Sequence, residues 1–141
     1  NSVQSFADCK VDFYNGQLMS GIFYYRNSWS SQYAEQPFIL DVKAGIMLFS
    51  QQIFKNEKDF EHIKQNAIKA FLQKQTNDSK DNGFNEWLKE QSFESMTLRK
   101  EGLVLNSNRH AKYGVQTIVI PFKTVQSNIQ VKSPIMILSK M

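Results

Sequence analysis

The residues of this chain that could do chemistry are few and scattered. His62 and His110 are its two histidines and Cys9 its one cysteine. There is no HxxxH, no CxxC and no clustered acidic loop. A structural zinc site needs about four nitrogen or sulfur ligands, so the sequence implies no metal and no cofactor. A nucleophile needs a base in reach and an oxyanion hole; no GxSxG elbow occurs, and Cys9 has no evident partner. Cys9 stands in an alternating segment and is expected as a half-buried, small hydrophobic strand residue, with no internal disulfide open to it. Glu57/Glu61 and Glu86/Glu90 are carboxylate pairs one helical turn apart, the usual spacing of a solvated helix face rather than of a glycosidase pair. No glycine-rich phosphate loop is present. These residues form no catalytic constellation, and the expectation is a non-enzymatic chain.

Two segments suit binding instead. In Tyr24-Tyr25-Arg26-Asn27-Ser28-Trp29, running on to Tyr33, aromatics and an arginine meet a polar loop. Large rigid rings bury contact area at low entropic cost. The competing reading is that alternate residues over 22–25 face the core, which leaves Trp29 as the exposed member. The second segment is Asn108-Arg109-His110-Ala111-Lys112-Tyr113-Gly114, read either as a recognition loop or as a solvated basic loop. The candidate binding residues are therefore Tyr25, Arg26, Trp29, Tyr33, Arg109, His110, Lys112 and Tyr113.

Charge singles out the same end of the chain. The 17 Lys+Arg against 13 Asp+Glu give a formal +4. All the acids lie between Asp8 and Glu101, while residues 102–141 hold Arg109, Lys112, Lys123, Lys132, Lys140 and no acid. A one-signed segment favours anionic partners, but five charges over that length are thin for a nucleic-acid-binding stripe. The segment reads either as an ordinary solvated basic face or as a surface for an anion or an acidic protein.

Strands must position these residues. Phe6, Cys9, Val11 and Phe13 alternate with Asp8, Lys10 and Asp12, which predicts a strand over 6–14. Asn15-Gly16 is a strong hairpin signal because both positions tolerate positive φ, and 17–27 follows as the partner strand. A third strand is expected over 33–42, with Pro37 making it an edge or irregular segment. Asp41-Val42-Lys43-Ala44-Gly45 resembles a turn, and 46–49 is a short apolar piece. Asn56 is a plausible N-cap for a helix reaching Gln75, with Glu57, Asp59 and Glu61 in its first turns. Its apolar face is Phe60, Ile63, Ala67, Ile68, Phe71 and Leu72, with Lys58, Lys64, Lys69 and Lys74 off it. A short helix over 84–91 holds Trp87 and Leu88. Strands follow over 93–99, 103–105 and 115–122, then one or two helical turns over 123–129 and a last strand over 134–138. Strands, helices, strands: this order predicts an α+β fold, an antiparallel sheet of about five to seven strands packed against one long and one short helix.

The composition agrees with one domain over 1–141. At 141 residues two independent cores are not expected. The chain is 41% hydrophobic with 11 Phe, which excludes a disordered tail, and six Gly with three Pro exclude collagen-like or low-complexity sequence. Apolar runs of about five residues fall far short of the roughly 20 that a membrane span needs. Asn1 rather than Met in first place is expected of a processed mature chain or an excised piece.

The order of these phrases resembles a bacterial cell-envelope domain of unknown function. That domain occurs in the extracytoplasmic part of a lysozyme-sensing anti-sigma factor and beside peptidoglycan (polysaccharide) deacetylase domains. The phrases are Phe38-Ile39-Leu40-Asp41-Val42-Lys43-Ala44-Gly45, then Ile53-Phe54 and the helix, then Glu101-Gly102-Leu103-Val104-Leu105, then Tyr113-Gly114 and Ile118-Val119-Ile120-Pro121-Phe122. They cover roughly residues 6–130. The chain departs from the family where Tyr25-Arg26-Asn27-Ser28-Trp29 replaces a Gly-Gly-Ala-His-Pro-like phrase, and where the loop before Tyr113 is shorter and more basic. The resemblance implies a periplasmic or otherwise extracytoplasmic location and a binding role. The partner it implies is a cell-wall-directed protein, such as a lysozyme-like hydrolase or toxin, or peptidoglycan itself. An immunity or inhibitor protein that blocks a wall-degrading enzyme is the alternative.

Overall fold

The computed structural model describes residues 5–27, 34–75 and 82–140. Among them are seven antiparallel strands, within the five to seven expected, but they divide between two sheets instead of forming one. The first runs in the order β1 (Ser5–Tyr14), β2 (Leu18–Asn27), β3 (Ala34–Asp41) and β4 (Ile46–Met47). The second is β5 (Ser95–Arg99), β6 (Gly102–Asn106) and β7 (Thr117–Ile120). Between them in sequence lie α1 (Ser50–Ile53), α2 (Glu57–Lys74) and α3 (Asn82–Glu90). After them come α4 (Phe122–Val125), a 3-10 turn (Gln126–Asn128) and α5 (Ile135–Ser139).

Local chemistry sets the turns. The Asn15 side chain accepts from the N–H groups of Gln17 and Leu18, and Gly16 takes φ 94°, closing the β1–β2 hairpin. The Asp41 carboxylate accepts from Ala44 N–H, and Gly45 N–H donates to Asp41 O, closing the β3–β4 turn. Pro37 lies opposite Ile22 of β2, while β4 pairs only with Leu40 and Asp41. The proline ring therefore sits on the free edge of β3, where a missing N–H breaks no ladder bond. At Gly21 any Cβ would collide with the backbone of Lys10 in β1, so the two strands approach closely there.

The Asn56 side chain accepts from Asp59 N–H at 2.8 Å, capping α2. Phe60, Ile63 and Ile68 are buried as the periodicity predicts. Lys64 departs from the expectation and is also buried. Its ammonium meets Glu61 at 2.7 Å and lies 5.6 Å from the Phe60 ring centre, so charge and ring face offset its loss of water.

The central core lies under α2 and the second sheet, where Leu98, Leu103, Val104 and Leu105 are fully buried. Ser20 joins the two sheets: its hydroxyl donates to Phe38 O at 2.7 Å and accepts from Leu98 N–H at 2.8 Å. The end of the chain is tied back to the α1–α2 junction. Gln130 donates to the carbonyls of Gln51 and Phe54, and Asn128 donates to Asp59.

Two local expectations need correction. In place of a strand over 134–138 the chain begins α5, because Ile135, Met136 and Leu138 must all be buried from one side and helical spacing achieves that where alternation does not. Cys9 is exposed, not half-buried, because β1 is the edge of its sheet and its Cys9 face turns to solvent.

Candidate binding surface

The loop between β6 and β7 is held on three sides. At its base, Ser107 N–H donates to Gln116 O and Gln116 N–H to the Ser107 hydroxyl. At its tip, His110 and Gly114 exchange N–H to O bonds of 2.9 Å in both directions. Inside the tip, His110 Nδ1 accepts from the N–H groups of Lys112 and Tyr113 at 3.0 and 3.2 Å. These bonds assign the ring proton to Nε2. Asn108 N–H reaches Gln91, whose amide in turn donates to Trp87 O.

Aromatic rings clamp this loop to α3. His110 stacks on Tyr113 at 4.5 Å between centres. Trp87 meets His110 edge-on at 5.2 Å and Tyr113 at 5.3 Å. Phe84, buried, meets Tyr113 edge-on at 5.1 Å. Such pairs each contribute roughly 0.5–1.5 kcal/mol beyond area burial. His110 and Tyr113 therefore build the loop, and Arg109 and Lys112 are the cations it presents. The Lys112 ammonium lies 5.4 Å from the Tyr113 ring centre.

Arg109 crosses to the other sheet. Its Nη2 donates to both carboxylate oxygens of Glu35 in β3 at 2.8 Å. Glu35 raises the guanidinium above its ordinary range, by hydrogen bond first and charge second, with Tyr24 adding a smaller contribution. The guanidinium is thus a cation at any pH a cell meets. Tyr24 pairs with Glu35 across β2 and β3 and shares its face. Tyr25, one residue on and about half exposed, points to the opposite face of the sheet.

Of the residues singled out from sequence, Arg109, His110, Lys112 and Tyr113 thus stand together against α3 and the far end of β2–β3. Tyr25 is divided from them by the sheet. Arg26 is exposed near the end of β2. Trp29 and Tyr33 lie outside the described residues. Tyr24, Glu35 and Trp87 join the surface. Tyr24 opens the aromatic segment singled out from sequence but is not among its candidate residues, while Glu35 and Trp87 stand in neither segment and enter through the β2–β3 register and the packing of α3.

A separate open groove of about 710 Å³ runs between α2 and β7, lined by His62, Asn66, Phe71, Lys74, Val119 and Thr124. His62 is exposed there, 3.1 Å from the Asn66 amide. Among the described residues no group of three or more His, Cys, Asp or Glu could hold a metal ion. No helix among them is long and apolar enough to cross a membrane.

No protein-family model matches the sequence, and no curated protein matches it. Among solved structures, a member of the DUF3298 family from Bacteroides fragilis is similar, with a TM-score of 0.69 at 15% identity. The alignment covers 99% of this chain and 58% of that one, so the chain spans little more than half of its neighbour's length. At this identity the likeness shows the fold: a mixed α+β domain like that of a bacterial protein of the DUF3298 family.

Proposed function

We propose that this chain is a non-enzymatic, extracytoplasmic binding domain that recognises a cell-wall-directed protein of the lysozyme-like hydrolase or toxin kind. Its contact surface is the 107–114 loop with the adjoining end of β2–β3. One observation carries the reading: the loop is closed by its own hydrogen bonds and clamped by Trp87, so its exposed cations are held in place before any partner arrives. Preorganisation of this kind removes ordering cost from binding. The loop belongs to the acid-free segment 102–141, which favours an acidic face on the partner. The extracytoplasmic setting rests on the sequence resemblance.

A second reading, an immunity or inhibitor protein for a wall-degrading enzyme, draws on the same loop. Glycosidase clefts carry paired carboxylates, and a braced loop that carries Arg109 and Lys112 offers such a cleft charge complementarity. Inhibition of hydrolysis, beyond binding, separates the two readings.

Calorimetric titration of the chain against a lysozyme-like hydrolase and, separately, against purified sacculi tests the proposal. Saturable hydrolase binding that Arg109→Ala weakens at least about tenfold, the effect of about 1.4 kcal/mol, supports it. Trp29→Ala, in the segment beyond β2, is the companion variant. Binding to sacculi alone would replace a protein partner with peptidoglycan. Unchanged affinity in both variants would remove these loops from the account.

A further inference from the structure

We infer that β1 is a self-pairing edge, and that a second copy of this chain adds its own β1 antiparallel to it. The local two-fold would be centred on Cys9. Three features of the strand point to this.

The first is the open edge. β1 is the outer strand of its sheet, and residues 7–12 are all exposed. An unprotected strand edge is a template for another strand. Cys9 N–H donates to its neighbour's carboxylate, Asp8 Oδ1, at 2.8 Å rather than to β2. The N–H of Cys9 therefore points along the open edge, capped only by an exposed side chain.

The second is the sheet's outer face. Cys9 is in register with Phe23, and Val11 with Gly21. Phe23 stacks on Phe38 at 4.6 Å, and Val11, Tyr25 and Met47 stand exposed on the same face. Strand alternation puts no charged residue among them. A solvent-facing sheet surface is ordinarily polar. Pairing through β1 would extend this uncharged face across two copies.

The third is charge, and it selects the register. On the opposite face, Asp8 and Lys10 flank Cys9. Centring on Cys9 places Asp8 opposite the partner's Lys10 and Lys10 opposite the partner's Asp8, two attractive cross-strand pairs. Centring on Lys10 would oppose lysine to lysine and Asp8 to Asp12. Centring further along runs into the register break between Val11 and Phe13. In the favoured register Ala7 faces the partner's Val11 on the uncharged side. Cys9 N–H turns from Asp8 to the partner's Cys9 carbonyl, which frees the Asp8 carboxylate for the partner's Lys10. The pairing covers only about five residues on each chain, so the dimer is weak, with dissociation in the micromolar range.

Sedimentation equilibrium of the purified chain under reducing conditions is the test. The expected result is a concentration-dependent species of twice the 16.4 kDa chain mass. Lys10→Asp opposes carboxylates in both pairs and should weaken it about tenfold, while Asp8→Lys/Lys10→Asp restores it. Cys9 then serves as a proximity probe. In a hydrogen-bonded antiparallel pair the two Cα atoms lie ~5.5 Å apart, inside the disulfide range. Diamide takes up the two protons and two electrons as the thiols join. It should cross-link the chain through Cys9 faster than it cross-links a Cys9→Ser/Val131→Cys control, whose single thiol would be exposed and lies outside any strand, in the turn before α5. A chain monomeric at all concentrations overturns the proposal. So does a dimer indifferent to Lys10→Asp, or a cross-linking rate equal to the control.

Discussion

Replacing Ser20 with alanine tests how the two sheets are held in one unit. The residue is fully buried, and its hydroxyl makes two bonds, to Phe38 O at 2.7 Å and from Leu98 N–H at 2.8 Å. Ser20→Ala removes the first and orphans the second. Losing a bond of this kind costs about 0.5–1.5 kcal/mol, and stranding a buried donor adds about 1–3 kcal/mol. Leu98 has no exposure at all, so water cannot replace the lost acceptor without disturbing the core. The sum, roughly 2–4 kcal/mol, should lower the urea midpoint by about 1–2 M at a slope near 2 kcal/mol/M. Hydrogen exchange should show the Leu98 amide losing protection beyond the global change. The same joint sets β3 beside the 107–114 loop, so the Arg109–Glu35 contact should loosen with it. A midpoint shift equivalent to less than ~0.5 kcal/mol, within the range of ordinary surface substitutions, would refute the claim that this hydroxyl links the sheets.

Other substitutions separate the loop from the core. Trp87→Ala removes the clamp on His110 and Tyr113 while leaving the two sheets intact. It should cost about 2–3 kcal/mol by thermal melting, from two or three aromatic contacts and their burial, and should raise exchange over 107–114 more than over β6. Asn56→Ala removes the α2 cap and should cost about 1 kcal/mol, read from the urea midpoint, with partner binding unchanged.

Much of the fold is legible in the sequence because local chemistry and tertiary demand agree. Asn15-Gly16 closes a hairpin, Asp41 with Gly45 closes the next turn, and Asn56 caps the long helix, each as its sequence requires. The division of seven strands between two sheets is not legible, since it depends on contacts such as Ser20 to Leu98, 78 positions apart. Residues 134–138 mislead because a short apolar run carries no period of its own. At the candidate surface, composition marks Arg109 to Tyr113, but it does not tell the rings that build the loop from the cations it presents. Glu35 and Tyr24 enter through the β2–β3 register, and Trp87 through the packing of α3. Tyr25 looks equivalent to Tyr24 in the sequence, yet alternation sends the two to opposite faces.

The central claim is that the braced 107–114 loop and the neighbouring end of β3 form the partner-binding surface. Hydrogen–deuterium exchange of the chain, alone and saturated with a lysozyme-like hydrolase, tests it most directly. Slowed exchange in 107–114 and at Glu35, with the groove between α2 and β7 unchanged, is the result expected. Protection confined to that groove, with 107–114 exchanging as in the free chain, would contradict it.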